Sequence, residues 1–220
     1  MDTGERAYEK IINYVEQQVM QGRYKKGDKL PPERELAALL GASRNSVREG
    51  LGILERMGAI SSQQGAGNFI SDNFEKTLIE VMTLMFILEE GTFREISEFR
   101  YALETQAQAL AMEHISQKQL ADIEYYMSML EKTPEEDMKA YYDKMIHYTI
   151  TAASGNRFII DNLQALTAVM DVFIKDMRAK SEGLMAAHRE MVEALREKNM
   201  EKGMQALKVH FEYIYEYIDG

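Results

Sequence analysis

The segment at residues 27–70 constrains the fold most, because two helical patterns and two extended patterns follow one another there within a short stretch of chain. An apolar repeat of three to four residues predicts one helix over residues 33–40 and a second between Ser43, a favoured N-cap residue, and Gly58. Gly41 and Ala42 leave room only for a tight turn between them. A short helix, a turn containing glycine and a second helix with basic residues in its first turns form the helix-turn-helix pattern.

Extended segments follow the second helix. Residues 60–64 and 68–70 are predicted strands, and the glycines within residues 65–67 predict a β-hairpin, or wing, between them. Before the helix-turn-helix, apolar residues recur at helical spacing from Tyr8 to Val19, and Gly22 ends that pattern. We therefore predict a winged helix-turn-helix domain over residues 1–72.

The remainder of the chain is helical in pattern. Seven helices are predicted, at residues 75–90, 93–114, 117–131, 135–153, 157–179, 182–198 and 200–218. The turns between them are short, which favours antiparallel neighbours. The predicted fold class is therefore mostly α, with the winged helix-turn-helix followed by an all-α antiparallel helical bundle over residues 73–220.

Charge is distributed unevenly between the two predicted domains. Residues 1–72 contain 10 basic and 10 acidic residues, so the net charge of −10 arises entirely from residues 73–220. A neutral domain can still bind nucleic acid when its arginines gather on one face, because phosphate contacts depend on local charge. The charge pattern therefore permits DNA binding without requiring it.

Several classes of protein are disfavoured by the composition. The chain has no cysteine, which excludes disulfides and thiolate metal sites. No apolar run approaches the roughly 18 residues expected of a membrane-spanning helix, and the first residues lack the basic and apolar regions of a signal peptide. We therefore expect a cytoplasmic protein without a membrane partner.

Residues 27–70 closely resemble the winged-helix signature of the GntR family of bacterial transcriptional regulators. The segments LP-x-ERELA and SR-x-x-VRE and the G-x-G wing tip occur in that order and at the family's spacing. The resemblance implies that operator DNA is contacted by Arg34, Arg44, Arg48 and Gly65. Gly50 stands where the family commonly has alanine, and we expect it to cost about 1 kcal/mol of helix propensity.

The remaining predicted DNA-binding residues follow from the same resemblance. Asn45 occupies the variable position of the recognition helix, and Gln64 the variable position before the wing glycine. Ser43 and Ser46 could donate to phosphates. Taken singly, the arginines are ordinary surface charges, but one turn apart they could reach guanine edges in the major groove while the wing backbone approaches the minor groove.

All four histidines lie in the second half. Asp143 and His147 are four residues apart on one helix, and His188 and His210 lie on or beside apolar stripes of two other helices. A carboxylate and three imidazoles could converge on a divalent metal. From the residues alone, hydrogen-bonded core histidines are the more usual interpretation of such a pattern, and a metal site is the alternative. His114 matches no motif and is expected at the surface.

The second half also resembles a known domain. The series from Asp143 and His147 through Ser154-Gly155-Asn156 to His188 and His210 is similar to the FCD effector domain of FadR-type GntR regulators, over about residues 75–215. The resemblance implies a divalent metal, with Zn²⁺ or Ni²⁺ as the leading candidates, held by Asp143, His147, His188 and His210. FadR itself lacks the full ligand set and binds a fatty acyl thioester.

Arg100 and Asn156 are the predicted effector-binding residues. Arg100 lies between Ile96 and Leu103 on an inward face, where a guanidinium needs a partner. That partner could be Glu104, one turn away, or the carboxylate of a bound ligand.

These features together predict a regulator rather than an enzyme. We expect a homodimer that binds a palindromic operator in double-stranded DNA, as a repressor or an activator, under control of a small carboxylate metabolite at the metal site. Three alternatives remain: a metal-free FCD regulator that senses an apolar or acyl ligand, a metal-responsive regulator without an organic effector, and a metallo-hydrolase. No inward glutamate stands out as a general base for the last.

Overall fold

The computed structural model describes residues 6–71, 74–173 and 182–219, and within them the chain forms ten α-helices and one two-stranded sheet. It divides into two compact units, Met1–Thr77 and Leu78–Gly220. The predicted fold class is confirmed. The predicted domain boundary after residue 72 lies a few residues before this division and remains a prediction.

The first unit contains three helices and a hairpin. Its elements are α1 (Glu9–Met20), α2 (Glu33–Leu40), α3 (Arg44–Arg56), β1 (Ile60–Gln63) and β2 (Gly67–Ile70). The strands pair antiparallel, with Ile60 opposite Ile70 and Gln63 opposite Gly67. The core is an apolar cluster from all of these helices and both strands, made of Ile11, Val15, Leu30, Leu36, Val47, Leu51, Leu54, Ile60 and Ile70.

The turn between α2 and α3 is fixed by two local features. Gly41 ends α2 in the left-handed conformation, with φ of +59°, which glycine adopts without steric cost. Ser43 then caps α3, because its Oγ accepts a hydrogen bond from the backbone N–H of Ser46 at 3.1 Å. The predicted turn and N-cap are therefore both present.

Helices α1 and α3 approach each other closely at Gly50. A Cβ atom at this position would lie 2.7 Å from Cβ of Ile11 and 2.8 Å from the carbonyl oxygen of Tyr8. Both distances are shorter than van der Waals contact, so an alanine here would push the two helices apart. Glycine at residue 50 costs helix propensity, but it allows α1 and α3 to pack closely where the family's common alanine would not fit.

The second unit is built from helices. They are α4 (Glu75–Leu88), whose residues 75–77 precede the division between the units, α5 (Phe93–His114), α6 (Gln117–Lys132), α7 (Glu136–Ala153), α8 (Arg157–Phe173), α9 (Glu182–Glu197) and α10 (Met200–Asp219). The predicted boundaries agree within a few residues, except that residues 174–179 of the fifth predicted helix lie outside the described residues. Capping boxes begin α5, through Thr92 and Glu95, and α6, through Ser116 and Gln119.

Helix α5 contacts α7, α8, α9 and α10 and therefore lies at the centre of this unit. The main apolar cluster draws on five helices, α5, α6, α7, α9 and α10, and includes Ala111, Ile123, Ile146, Met191, Leu195, Leu207 and Phe211. A smaller cluster joins α5 and α8 through Ala107, Ile159, Leu163 and Leu166. Among the described residues, none of the helices combines the length and apolar character needed to cross a membrane.

Candidate functional site

Three buried histidines meet in the second unit. His147 comes from α7, His188 from α9 and His210 from α10, and one potential ligand nitrogen from each lies within 4.8 Å of the others. The Nε2 atoms of His147 and His188 are 3.2 Å apart. The structure therefore brings together three of the four predicted metal ligands from three separate helices.

Asp143 lies beside this group on α7. Its Oδ1 is 2.9 Å from Nε2 of His188, and its side chain is 38 % exposed, in contrast to the buried histidines. Burial alone would raise the pKa of the Asp143 carboxyl, but the His188 imidazole and its hydrogen bond hold that pKa well below its usual range. Asp143 is thus an ionised carboxylate in contact with one histidine of the cluster.

Glu104 on α5 is a site residue that the sequence interpretation missed. Its Oε2 lies 2.8 Å from Nδ1 of His147, and its Oε1 accepts a hydrogen bond from Nε of Arg100 at 2.5 Å. The sequence named Glu104 only as a possible partner of Arg100, whereas the structure buries it at the histidine cluster as well. Its sequence signal is its place on the inward stripe of α5 with Ala107 and Ala111, three and seven residues further on.

The contact with Glu104 orients the His147 ring. Burial alone would raise the pKa of the Glu104 carboxyl, but Arg100 and His147 hold it well below its usual range. An ionised carboxylate only accepts hydrogen bonds, so Nδ1 of His147 is the donor, and the other ring nitrogen, Nε2, faces His188. The same ionisation, with Arg100 in place, makes Glu104 a poor general base.

His210 is suited to act as a ligand in its neutral form. Burial, and then the neighbouring His188 and His147, lower the pKa of its imidazole well below the usual value. Ring atoms Nδ1 of His188 and Nδ1 of His210 are buried with no hydrogen-bond partner among the described residues. Three imidazoles and a carboxylate, one imidazole already oriented by an outer carboxylate, are a donor set that fits a divalent transition metal.

The predicted effector residues are both engaged in contacts within the unit. The Arg100 side chain is only 12 % exposed, its Nε donates to Glu104, and its Cζ lies 5.7 Å from the centroid of the Phe211 ring, so Glu104 is the partner that the structure favours. Asn156 caps α8, because its Oδ1 accepts from the backbone N–H groups of Phe158 at 3.1 Å and Ile159 at 3.3 Å.

Two further polar side chains are buried on α5. The hydroxyl oxygen of Ser97 and both amide atoms of Gln108 have no hydrogen-bond partner within the part of the chain that the structure describes. Gln108 is one helical turn beyond Glu104. His114, by contrast, is exposed as expected and lies 3.4 Å from the carbonyl oxygen of Ser154.

The predicted DNA-binding residues lie in the first unit, on α2, at the start of α3 and at the tip of the hairpin. Those that are exposed are Arg34, Ser43, Arg44, Asn45, Arg48, Gln64 and Gly65, and Ser46 is partly buried. Gly65 has φ of +75°, as its position in the turn requires.

Polar partners hold three of these residues in place. The guanidinium of Arg48 binds the carboxylate of Glu33 through two nitrogens, at 2.9 and 3.3 Å. The hydroxyl oxygens of Ser43 and Ser46 are 2.9 Å apart. Glu33 on α2 therefore holds the Arg48 side chain in position. Ser43 and Ser46 bind each other at the N-terminus of α3, which Ser43 caps.

A winged helix-turn-helix together with a helical unit that encloses a histidine cluster defines a class of DNA-binding proteins with a separate sensor domain. Residues 7–70 match the model of the bacterial regulatory proteins of the gntR family, and residues 95–213 match the FCD domain. The chain belongs to the GntR family and carries an FCD domain, and it is a transcriptional regulator with a DNA-binding helix-turn-helix. The predicted family is confirmed.

The chain is similar to several curated regulators. A regulatory protein of Escherichia coli (strain K12) named for the L-lactate dehydrogenase operon is 26% identical over 202 residues, or 86% of this chain and 77% of that protein. The HTH-type transcriptional repressor NanR of Edwardsiella tarda is 24% identical over 94% of this chain and 83% of its own length. The repressor YtrA of Bacillus subtilis is 42% identical over 43% of this chain and 72% of its own length. All are regulators rather than enzymes, as predicted for this chain.

Solved structures share the fold. Streptococcus agalactiae GntR superposes with a TM-score of 0.67 at 24% identity, over 94% of this chain and 98% of that chain. Escherichia coli McbR/YncC superposes with a TM-score of 0.51 at 20% identity, over 97% of both chains. Both likenesses concern the architecture alone.

Proposed function

We propose that this regulator binds a divalent metal through His147, His188, His210 and Asp143, and that a small carboxylate metabolite at this metal controls its affinity for operator DNA. The observation that carries the proposal is the convergence of three buried histidine ligand atoms within 4.8 Å, with Asp143 in contact with one ring. When bound, the metal supplies positive charge and open coordination positions for a carboxylate.

The chain's own residues prepare the site. Glu104 fixes the ring of His147 from the side away from the cluster, at 2.8 Å, and Arg100 compensates the charge of that carboxylate. Histidine ligands of metals commonly have such an outer carboxylate, which sets the tautomer and raises ligand basicity. The contact between Glu104 and His147 is therefore better explained by a metal site than by histidines with a purely structural role.

The name of one relative is in keeping with a carboxylate effector. This relative is named for the L-lactate dehydrogenase operon, and lactate is a hydroxy acid whose oxygens suit an open metal site. A ligand of this kind shifts operator binding only if it binds one conformation of the protein better than another. We infer that the metal site provides this differential affinity.

Elemental analysis of untagged protein tests the metal. We expect about one metal ion per chain in the wild type and little in His147→Ala/His188→Ala, while His114→Ala, which removes an exposed histidine, keeps the wild-type content. Absence of metal after soaking with Zn²⁺ or Ni²⁺ would overturn the metal site. The search for an effector would then turn to apolar or acyl ligands.

The proposed DNA contacts are tested separately. Arg34, Arg44, Asn45, Arg48, Gln64 and Gly65 form an exposed set around the start of α3 and the wing, and Ser43 and Ser46 adjoin it. We expect Arg44→Ala and Arg48→Ala to abolish sequence-specific binding, and Arg56→Ala, at the other end of α3, to leave it nearly unchanged. Retained specific binding in both of the first two variants would contradict the assignment.

A further inference from the structure

Residues 27–30 lie beside β2 as a short antiparallel strand, so that the wing has a third edge of backbone. The N–H groups of Gly27 and Leu30 donate to carbonyl oxygens of β2 at 2.9 and 2.8 Å, and Lys29 is paired with Phe69. Directly paired residues of neighbouring strands point to the same face of a sheet. The side chain of Lys29 therefore lies on the face of the wing that also carries the Phe69 ring.

The Lys29 side chain runs along this face toward the tip of the wing. Its Nζ lies 5.9 Å from the centroid of the Phe69 ring. A Cβ atom at Gly67 would lie 3.1 Å from Cε and 3.8 Å from Nζ of Lys29, so the glycine leaves open the space beside which the lysine lies. Gly67 is two residues from Gly65 at the tip. The ammonium group is thus held close to the end of the hairpin.

The charge of Lys29 is not neutralised by a carboxylate. Lys29 is exposed and forms no salt bridge with any of the residues that the structure describes. Asp28, the one acid among residues 23–29, instead accepts a hydrogen bond from the backbone N–H of Lys25 at 2.7 Å, and the same stretch contains four basic residues. An aromatic ring attracts a cation but leaves its charge in place. Lys29 is therefore an oriented cation whose charge is available to an anion.

We propose that Lys29 binds a phosphate of the DNA backbone beside the wing, in addition to the contacts made from α3. The minor groove is roughly 6 Å wide, so a hairpin tip inserted into it has a phosphate strand next to each of its faces. An ammonium group held on one face near the tip is within reach of one of these strands. Lysine binds phosphate as a point charge and reads no base, so the contact adds affinity without adding sequence specificity. The inference rests on the proposed DNA contacts in one respect, since it places the tip at Gly65 in the minor groove.

The salt dependence of DNA binding tests the contact. Fluorescence anisotropy of full-length protein is measured at several salt concentrations with two duplexes, an operator selected by the wild type from random-sequence DNA and a scrambled version of it. Lys29→Gln is expected to weaken binding to both duplexes by a similar factor, and to reduce the slope of log K against log salt by about 0.9 for each Lys29 that contacts DNA. A rise in salt of about fourfold should therefore weaken wild-type binding about 3.5 times more per contact than binding of the variant.

Two control variants separate the contact from other effects of the substitution. Lys29→Arg should keep the wild-type slope, because a guanidinium also stacks on an aromatic ring and binds phosphate. Lys10→Gln removes the same charge from an exposed position of α1, outside the proposed DNA-binding set, and should leave the slope unchanged. An unchanged slope in Lys29→Gln, even with lower affinity, would give Lys29 a purely structural role and overturn the proposal. So would an equal reduction of the slope in Lys10→Gln.

Site-directed cleavage tests where Lys29 lies on the DNA. Because the chain contains no cysteine, Lys29→Cys carries a single thiol to which an iron–EDTA reagent is attached. This variant is expected to cut the selected operator at discrete positions, as Gln64→Cys in the wing should, whereas Lys10→Cys should not. Cleavage from Gln64→Cys without cleavage from Lys29→Cys would overturn the Lys29 contact alone. No cleavage from either variant, with specific binding retained, would overturn the proposed position of the wing as well.

Discussion

Glu104 on α5 holds His147 on α7 through a 2.8 Å contact between Oε2 and Nδ1. The two residues are 43 positions apart in the chain, and both are buried. Arg100 binds the other oxygen of the same carboxylate, so three residues form a continuous chain of charge-assisted hydrogen bonds that ends at the histidine cluster. Substitution of Glu104 should therefore alter Nε2 of His147, the ring nitrogen that faces the cluster.

Glu104→Gln is expected to weaken metal binding by roughly 10- to 100-fold, because a neutral amide no longer orients and polarises the His147 ring as a carboxylate does. Competition with a chromophoric zinc chelator measures the affinity. The Co²⁺-loaded protein should also show a changed visible spectrum, which a purely structural role would not produce. Glu113→Gln is the control, since Glu113 lies on the same helix with its side chain 71 % exposed. Unchanged affinity and spectrum in Glu104→Gln would contradict the role given to this carboxylate.

Gly50→Ala is expected to destabilise the protein, although alanine is the better helix former. The added Cβ would lie 2.7 Å from Cβ of Ile11, and such overpacking costs about 1–3 kcal/mol, which exceeds the gain of about 1 kcal/mol in helix propensity. Gly52→Ala on the same helix is the matched control, because its Cβ would meet only the end of Arg56 at 3.7 Å. Urea unfolding should show opposite signs for the two variants; stabilisation by both would be inconsistent with close packing at Gly50.

Gln108→Met is expected to stabilise the metal-free protein by roughly 1–2 kcal/mol, since a buried amide without a hydrogen-bond partner is costly and methionine has a similar volume. Thermal unfolding of chelator-treated protein measures the change. Gln205→Met, at an exposed position of α10, should have almost no effect. A lower melting temperature for Gln108→Met would mean that the amide has a partner in solution, such as a bound water.

Glu33→Gln is expected to tighten binding to DNA of arbitrary sequence several-fold and to lower the ratio of specific to non-specific affinity. The change removes a negative charge beside the proposed DNA-binding face and releases Arg48 from the carboxylate that aligns it. Fluorescence anisotropy with operator and scrambled duplexes, at several salt concentrations, measures both quantities. Glu35→Gln, on the exposed side of the same helix, serves as the reference. If Glu33→Gln behaves like Glu35→Gln, the ion pair has no part in DNA recognition.

Most of the fold could be predicted because its signals are local. Ser43, Thr92 and Ser116 cap the helices that follow them, and a cap is specified by residues within one turn. The winged helix-turn-helix followed from such signals together with a specific motif. Helix ends were predicted less exactly: α4 ends at Leu88, two residues before the predicted end, because Glu90 already adopts a left-handed conformation with φ of +52°.

The candidate site was only partly predictable. Asp143 and His147 share a helix and could be paired from spacing alone, but the contact between Glu104 and His147 depends on how α5 and α7 pack. Tertiary contacts of this kind determine which of several possible partners the inward side chains of Arg100 and Glu104 bind.

The contact at Gly50 also bears on how the family can diverge. An alanine at residue 50 needs room that Ile11 now occupies, so substitutions at these two positions should be accepted jointly rather than singly. Regulators that have alanine at the position of Gly50 should compensate with a smaller residue at the position of Ile11 or with a wider separation of the two helices. The pair would then appear as correlated change across homologous sequences, and exchanging one member between two such proteins would be harmful where exchanging both is tolerated.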